Sequence, residues 1–341
     1  MNIKRIPALD YLKGALICFV ILIHSNTYLQ LKWEDSLWFA YIVQLAVPMF
    51  MVLSGFTFSI SQQKYKTLNE YYSKKVLVPK LLRFIFPVIV EEIIWAVARI
   101  VSGQREGMLI ELLRINCGPG SYYFLLMIEL VLVFPFIYFS VVKWGGYSVA
   151  CLVGANFAFE VFATFINISP YWYARSLFAF SGFIAVGAYY YLQLTNKMKF
   201  KVIPLIFQYT GIMCSILWIC ATTWDDYKPV IFTKNPIYAL PVLGWTSALV
   251  FIVILLGIKY NNTKQNLLGK ICSEIGKASY HILCTQMVWF ITVKWIRLHC
   301  PFAIKAIWWA PISVVLSVLA GVLFYYVEKR VSSRILKRLG Y

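Results

Sequence analysis

Ten apolar runs of helical length constrain this chain more than any other feature. They fall near 14–30, 38–60, 81–101, 121–141, 146–164, 172–193, 203–222, 236–258, 279–297 and 307–327. Each approaches the roughly 20 residues that an α-helix needs to cross the hydrocarbon of a bilayer. A helix satisfies its own backbone there, where no water can. The runs predict an all-α, polytopic membrane protein of about ten transmembrane helices. They form one domain over 1–341, with a short basic tail at 328–341. Composition agrees, at 61% hydrophobic and 13% charged, against roughly half and a quarter in soluble domains. No small-residue cleavage site follows the first run, so it reads as a retained helix and not a signal peptide.

The formal charge of +18 could suggest nucleic acid, but in a membrane protein it is better explained by basic cytoplasmic loops. With the N-terminus inside, the inner segments hold Lys4 and Arg5, then Lys64, Lys66, Lys74 and Lys75, then Lys143. Lys197, Lys199, Lys201, Lys259 and Lys264 follow, and the tail adds Lys329, Arg330 and Arg334. The outer loops carry Glu34, Asp35, Glu106, Glu111, Asp225 and Asp226. Both termini are therefore expected in the cytoplasm, with the helices in the inner or plasma membrane and no nucleic-acid partner.

Some residues in the runs are too polar to face lipid. Glu91 and Glu92 follow Pro87, Glu129 lies in the fourth run, Asn156 and Glu160 in the fifth, and Arg175 in the sixth. Lys294 and Arg297 close the ninth. A charge at the bilayer centre costs at least ~2.5–3.5 kcal/mol, so these groups are expected to face the bundle interior or a wet cavity. Several on different helices suggest a central polar chamber. Glu129, Asn156, Glu160 and Arg175 could bind an acceptor, orient a catalytic group or satisfy one another. Trp172 could pack on a sugar, or belong to an interfacial aromatic belt with its tyrosine neighbours.

The first run places Lys13 and His24 eleven residues apart. At 100° per residue they fall within about 20° of one face, and about 16 Å apart along the axis. Ile17 and Val20 lie between them on that face, and Asp10 is one turn earlier if the helix starts that soon. A base at the rim and an imidazole near mid-membrane would suit an elongated substrate with an anionic end and a reactive end. A neutral imidazole can act as general base for a hydroxyl attacking a thioester. It can equally be a core histidine bonded across helices. His281 and His299 offer no ligand-type spacing with His24, so no metal is expected. The eight cysteines show no metal-like spacing and read as small buried hydrophobes, with a Cys117–Cys300 bridge the one alternative.

Four segments resemble the acyltransferase 3 family of integral-membrane acyltransferases. They are DYLKGALICFVILIH (10–24), VPMFMVLSGF (47–56), KKVLVPKLLRFIFP (74–87) and IGKASYHILCTQ (275–286). In family order they span nearly the whole chain. The resemblance implies that His24 is the catalytic histidine and that Lys13, Lys80 and Arg83 face the phosphates of the donor. Lys80 and Arg83 could also be positive-inside anchors that need no ligand. It implies transfer of an acyl group, most often acetyl from acetyl-CoA, to a hydroxyl of a cell-surface glycan or its lipid-linked precursor, with no tightly bound cofactor.

Two positions depart from the family pattern. Lys13 stands where arginine is usual, which keeps the charge but loses the bidentate fork. Gln286 stands where a histidine is frequent, and glutamine cannot shuttle a proton. With no appended extracellular hydrolase-like domain, the acceptor is expected to meet the membrane domain or a partner. The other function classes are an exporter of glycan or lipid-linked glycan without chemistry, and a membrane sensor. A transporter needs a polar path, but not a base aligned with a phosphate-binding rim.

Overall fold

The computed structural model describes residues 6–33, 36–103, 105–116, 118, 120–195, 202–224, 236–259, 267–299 and 305–338. All regular structure among them is helical. Pro7, whose fixed φ suits a first helical turn, opens α1 (Pro7–Leu29), and Gln30 closes it in the left-handed conformation. Asp10 and Lys13 therefore lie inside the helix. A π-type turn at Phe39–Val43 leads into α2 (Ala46–Gln62). Short α3 (Leu68–Tyr72) precedes the long α4 (Lys74–Val101), then α5 (Met108–Leu113), α6 (Tyr122–Trp144) and α7 (Gly146–Phe165). The chain continues through α8 (Pro170–Arg175), α9 (Ser181–Leu194), α10 (Val202–Trp224) and α11 (Pro236–Lys259). It ends in α12 (Leu267–Lys277), α13 (Ser279–His299) and α14 (Ala306–Arg338).

A helix underlies each of the ten apolar runs. Among the described residues seven stretches are long and apolar enough to cross a membrane, the first Pro7–Leu29 and the last Ala306–Arg338. Helices α4 and α13 are not among them: α4 carries Glu91, Glu92 and Arg99, and α13 is less apolar, with His281, Gln286 and Lys294 along it. In α10 the apolar stretch with described side chains is the shorter Gly211–Thr222. The protein is a multi-pass helical membrane protein. Its centre is the Phe39–Gln62 stretch, 89% buried, while the α7 stretch at 22% lies on the periphery.

Small residues set the central crossing. A β-carbon at Gly55 would come within 2.0 Å of the Ile184 carbonyl oxygen, and one at Gly187 within 1.9 Å of that of Val52. Helices α2 and α9 thus touch backbone to backbone, the close approach that glycine permits in membranes. Beside them α1 packs against α2, α12, α13 and α14, and α13 against α14.

The sixth expected span, 172–193, is broken. Ser176 is extended (ψ 121°) and ends α8, and a 3-10 turn at Leu177–Phe180 separates it from α9. Such a break leaves carbonyls without helical partners. The Asn156 side chain supplies two, donating to Phe178 O at 3.1 Å and Ala179 O at 2.9 Å. Two further expectations need correction. Lys294 and Arg297 are exposed and do not face the interior; long cationic side chains near a helix end can snorkel past the apolar belt. Of the six described cysteines, all free, Cys284 is buried but Cys151, Cys214 and Cys220 are exposed. The outside of a membrane bundle is itself apolar, so cysteine fits there too. Helix α14 runs on to Arg338, through most of the basic segment at 328–341.

Cys117 and Cys300 lie outside the described residues. So do the loop charges Lys4, Arg5, Glu34, Asp35, Lys197, Lys199, Lys201, Asp225, Asp226 and Lys264.

Candidate active site

The face of α1 that periodicity singles out forms one wall of a cavity of about 770 Å³. Asp10, Lys13, Ile17, Val20 and His24 all line it. Helix α4 contributes Lys80, Arg83 and Phe84, and α2 contributes Ser54. The start of α6 adds Tyr122 and Tyr123, and α13 adds Tyr280 and His281. Lys277, Glu328 and Lys329 complete the charged lining, giving five cationic side chains (Lys13, Lys80, Arg83, Lys277, Lys329) against the carboxylates of Asp10 and Glu328. That imbalance suits a polyanionic ligand, because each phosphate can form charge-assisted hydrogen bonds.

Local structure fixes the cations. Lys80 Nζ lies 4.0 Å from the ring centre of Tyr71 and 4.7 Å from that of Tyr65. Tyr71 is itself held by its hydroxyl, which donates to Val131 O at 2.7 Å. Two aromatic faces therefore steady the ammonium without neutralising it. Arg83 is exposed at the mouth. Helix α4 is tied to α13 beside it, where the Tyr280 hydroxyl donates to Phe84 O at 3.0 Å.

At the other end the imidazole of His24 meets Phe290 edge-on, with ring centres 6.1 Å apart. The turn before α6 lies beside the ring. Gly120 has φ +91°, and a β-carbon there would stand 3.4 Å from His24 Nε2. Both facts favour glycine: the backbone is left-handed, and the missing side chain leaves space beside the ring nitrogen. Tyr123 and Ser54 share a side-chain hydrogen bond in the neighbouring wall.

The structure thus brings together Asp10, Lys13, His24, Lys80 and Arg83. It does not bring the remaining five candidates to this lining. Asn156 satisfies the α8–α9 break, and Glu160 accepts a hydrogen bond from the Tyr173 hydroxyl. Arg175 donates to Arg114 O at 2.6 Å and Ile115 O at 3.0 Å, and stacks its guanidinium on Tyr171. Trp172 is exposed on α8, and Glu129 is half-buried on α6. The expected single polar chamber does not form at this lining, because Asn156 serves the carbonyls of the broken span and Arg175 serves those of Arg114 and Ile115 ahead of α6.

Sequence reasoning did not assign roles to Gly120, Tyr280, His281, Glu328 or Lys329. His281 and Tyr280 sit within the IGKASYHILCTQ segment, and Gly120 within the turn-like CGPGS between two apolar runs. Glu328 opens a stretch that reads only as a basic tail.

A helical membrane protein whose cation-rimmed internal cavity ends at an imidazole is the class that these features define. The chain belongs to the acyltransferase 3 family: the family described as acyltransferase domain matches residues 6–326. It is thus an acyltransferase-family enzyme. No match was found among the curated proteins or the solved structures.

Proposed function

We propose that the protein is a membrane O-acyltransferase. It moves an acyl group, acetyl in the simplest case, from a cytoplasmic acyl-CoA to a hydroxyl of a cell-surface glycan or its lipid-linked precursor. The observation that carries this reading is the continuous α1 wall, with Lys13 among the rim cations and His24 beside the Gly120 turn in one cavity. The rim takes the phosphates of the donor through Lys13, Lys80 and Arg83. The arm runs along Ile17 and Val20, and the thioester reaches His24, about 16 Å from Lys13 along α1.

In the reaction the acceptor oxygen attacks the thioester carbonyl as neutral His24 takes its proton. The C–O bond forms and the tetrahedral intermediate collapses with cleavage of the C–S bond. The thiolate then takes the proton back from the imidazolium. Products are the ester and the free thiol of CoA, so no oxidant or external base is consumed. The space beside Gly120 accommodates the carbonyl being attacked.

This reading places ten helices across the inner or plasma membrane, with both termini in the cytoplasm. The inward donor and an outward acceptor then meet at mid-membrane. The loop charges support it, as does the excess of cations over carboxylates in the cavity lining. The test is purification of the full chain, addition of acetyl-CoA together with a hydroxyl-bearing glycan acceptor, and measurement of donor binding and thiol release beside His24→Ala. Wild type should bind and release thiol, whereas His24→Ala should bind and release far less. Absence of donor binding by wild type would overturn the reading.

A further inference from the structure

Helix α14 is longer than a membrane crossing needs. Its 33 residues span about 50 Å, against about 30 Å of hydrocarbon. The apolar run ends at Val327, and Lys329, Arg330, Arg334, Lys337 and Arg338 follow. The cavity nevertheless continues along this end. Tyr325, Glu328, Lys329, Ser332, Ile335 and Leu336 all line it. Counted from Tyr325 they recur at i+3, i+4, i+7, i+10 and i+11, which is one stripe of a helix. Ser332 and Leu336 on the stripe are half-buried, whereas Val331, Ser333, Arg334 and Lys337 off it are exposed.

Contacts with neighbouring helices fix the level of this stripe. Gly276 packs on the Asp10 carbonyl and Phe290 on His24, so α13 runs beside α1 in the same sense. Helix α14 runs against α13, with Ile282 packed on Gly321 and the Thr285 hydroxyl donating to Ser317 O at 3.1 Å. The Tyr326 hydroxyl donates to Glu274, two residues before Gly276, which sets Tyr326 level with the first turns of α1. Beyond Tyr326, α14 therefore reaches past the start of α1. Helix α4 lies alongside, with Phe84 O held by Tyr280. Lys80, one turn before Phe84, thus stands near the level of Lys329.

Along the stripe the surface changes in the order that a nucleotide requires. Lys329 is exposed and forms no ion pair among the described residues, and its Nζ lies 5.6 Å from the ring centre of Tyr325. With Lys80 it offers ammonium groups to phosphates. About 5–10 Å further out come the Ser332 hydroxyl and then Ile335 and Leu336. Ile335 is 38% exposed, an apolar surface past the membrane that the face of a purine can cover. CoA carries the same sequence of groups: the arm, the pyrophosphate, then the adenosine. We infer that the end of α14 is the nucleotide subsite of the donor, where Lys329 pairs with a phosphate and Ser332, Ile335 and Leu336 hold the adenosine. The inference rests on the acyl-CoA reading of the same cavity.

The test titrates CoA and 3′,5′-ADP, the nucleotide without the arm, calorimetrically into the purified full chain. Lys329→Ala should weaken both about tenfold, and Leu336→Ala both about threefold. Arg334→Ala is the control. It removes the same charge from the same helix but off the stripe, so both affinities should stay within twofold. All three side chains are exposed or half-buried at the end of α14, and the fold does not depend on them. Equal losses in Lys329→Ala and Arg334→Ala would show only a general attraction of anions and overturn the inference. A loss for CoA with none for 3′,5′-ADP overturns it too, as does binding of CoA but not 3′,5′-ADP by wild type. If Lys329 serves only lipid phosphates, Lys329→Ala binds CoA as wild type does; the inference then falls and the donor reading stands. If wild type binds neither probe, the donor reading falls and takes this inference with it.

Discussion

Gly120 faces His24 so closely that a β-carbon at Gly120 would stand 3.4 Å from Nε2. The distance is ordinary van der Waals contact, so alanine would fill the space beside the imidazole without a clash. The backbone there, at φ +91°, is one that L-residues rarely adopt. Gly120→Ala should reduce turnover about 10- to 100-fold by displacing the reacting carbonyl. Binding of CoA at the distant rim should stay within about twofold. Thiol-release kinetics and a CoA titration on the same preparation check both halves.

Lys13 gives a second prediction, because its charge and its shape can be tested apart. Lys13→Ala removes a cation from the rim and should weaken CoA binding about tenfold or more. Lys13→Arg keeps the charge and adds the fork that suits phosphate. It should bind CoA at least as well as wild type. Equal losses in the two variants, measured by calorimetry, would contradict a phosphate-facing role.

Arg175 should matter for stability and not for donor binding. Its guanidinium holds the carbonyls of Arg114 and Ile115 and packs on Tyr171 at 3.8 Å. Arg175→Met leaves those part-buried acceptors without their donor, at a cost of about 1 kcal/mol for each bond lost. The unfolding midpoint should fall by about 5 °C or more, with CoA affinity unchanged.

Gly187 tests the central crossing. A β-carbon there would press to 1.9 Å from the Val52 carbonyl oxygen, which is backbone and cannot move aside cheaply. Gly187→Val should abolish the monodisperse protein peak on size-exclusion chromatography. Gly154→Ala is the control, since nothing lies within 4 Å of its added carbon, and it should behave as wild type.

The α1 wall was legible because a single helix carries it. Lys13, Ile17, Val20 and His24 share a face by periodicity alone, and that face lines the cavity. Lys80 and Arg83 were reachable through the family-like segment that contains them. The helices themselves were legible because a bilayer permits few alternatives to an apolar helix.

What sequence could not supply were relationships across helices. The hydrogen bonds of Asn156 and Arg175 depend on where Ser176 interrupts the chain, and no run length shows that. His281 and Glu328 are 47 residues apart in sequence, and only the antiparallel packing of α13 on α14 makes them a pair. Lys294 and Arg297 were misjudged for a related reason: polarity in an apolar run does not say which way a long side chain leaves the helix.

The central claim is that His24 is the base of an acyl transfer and does not bind the donor. The most direct measurement uses inverted membrane vesicles containing the full chain and its native envelope glycans, supplied with radiolabelled acetyl-CoA. CoA affinity is measured separately on purified protein. His24→Ala should transfer label to the glycan or lipid-linked fraction at least about 100-fold more slowly, with CoA affinity within about twofold of wild type. Label transfer by His24→Ala at the wild-type rate would contradict the account.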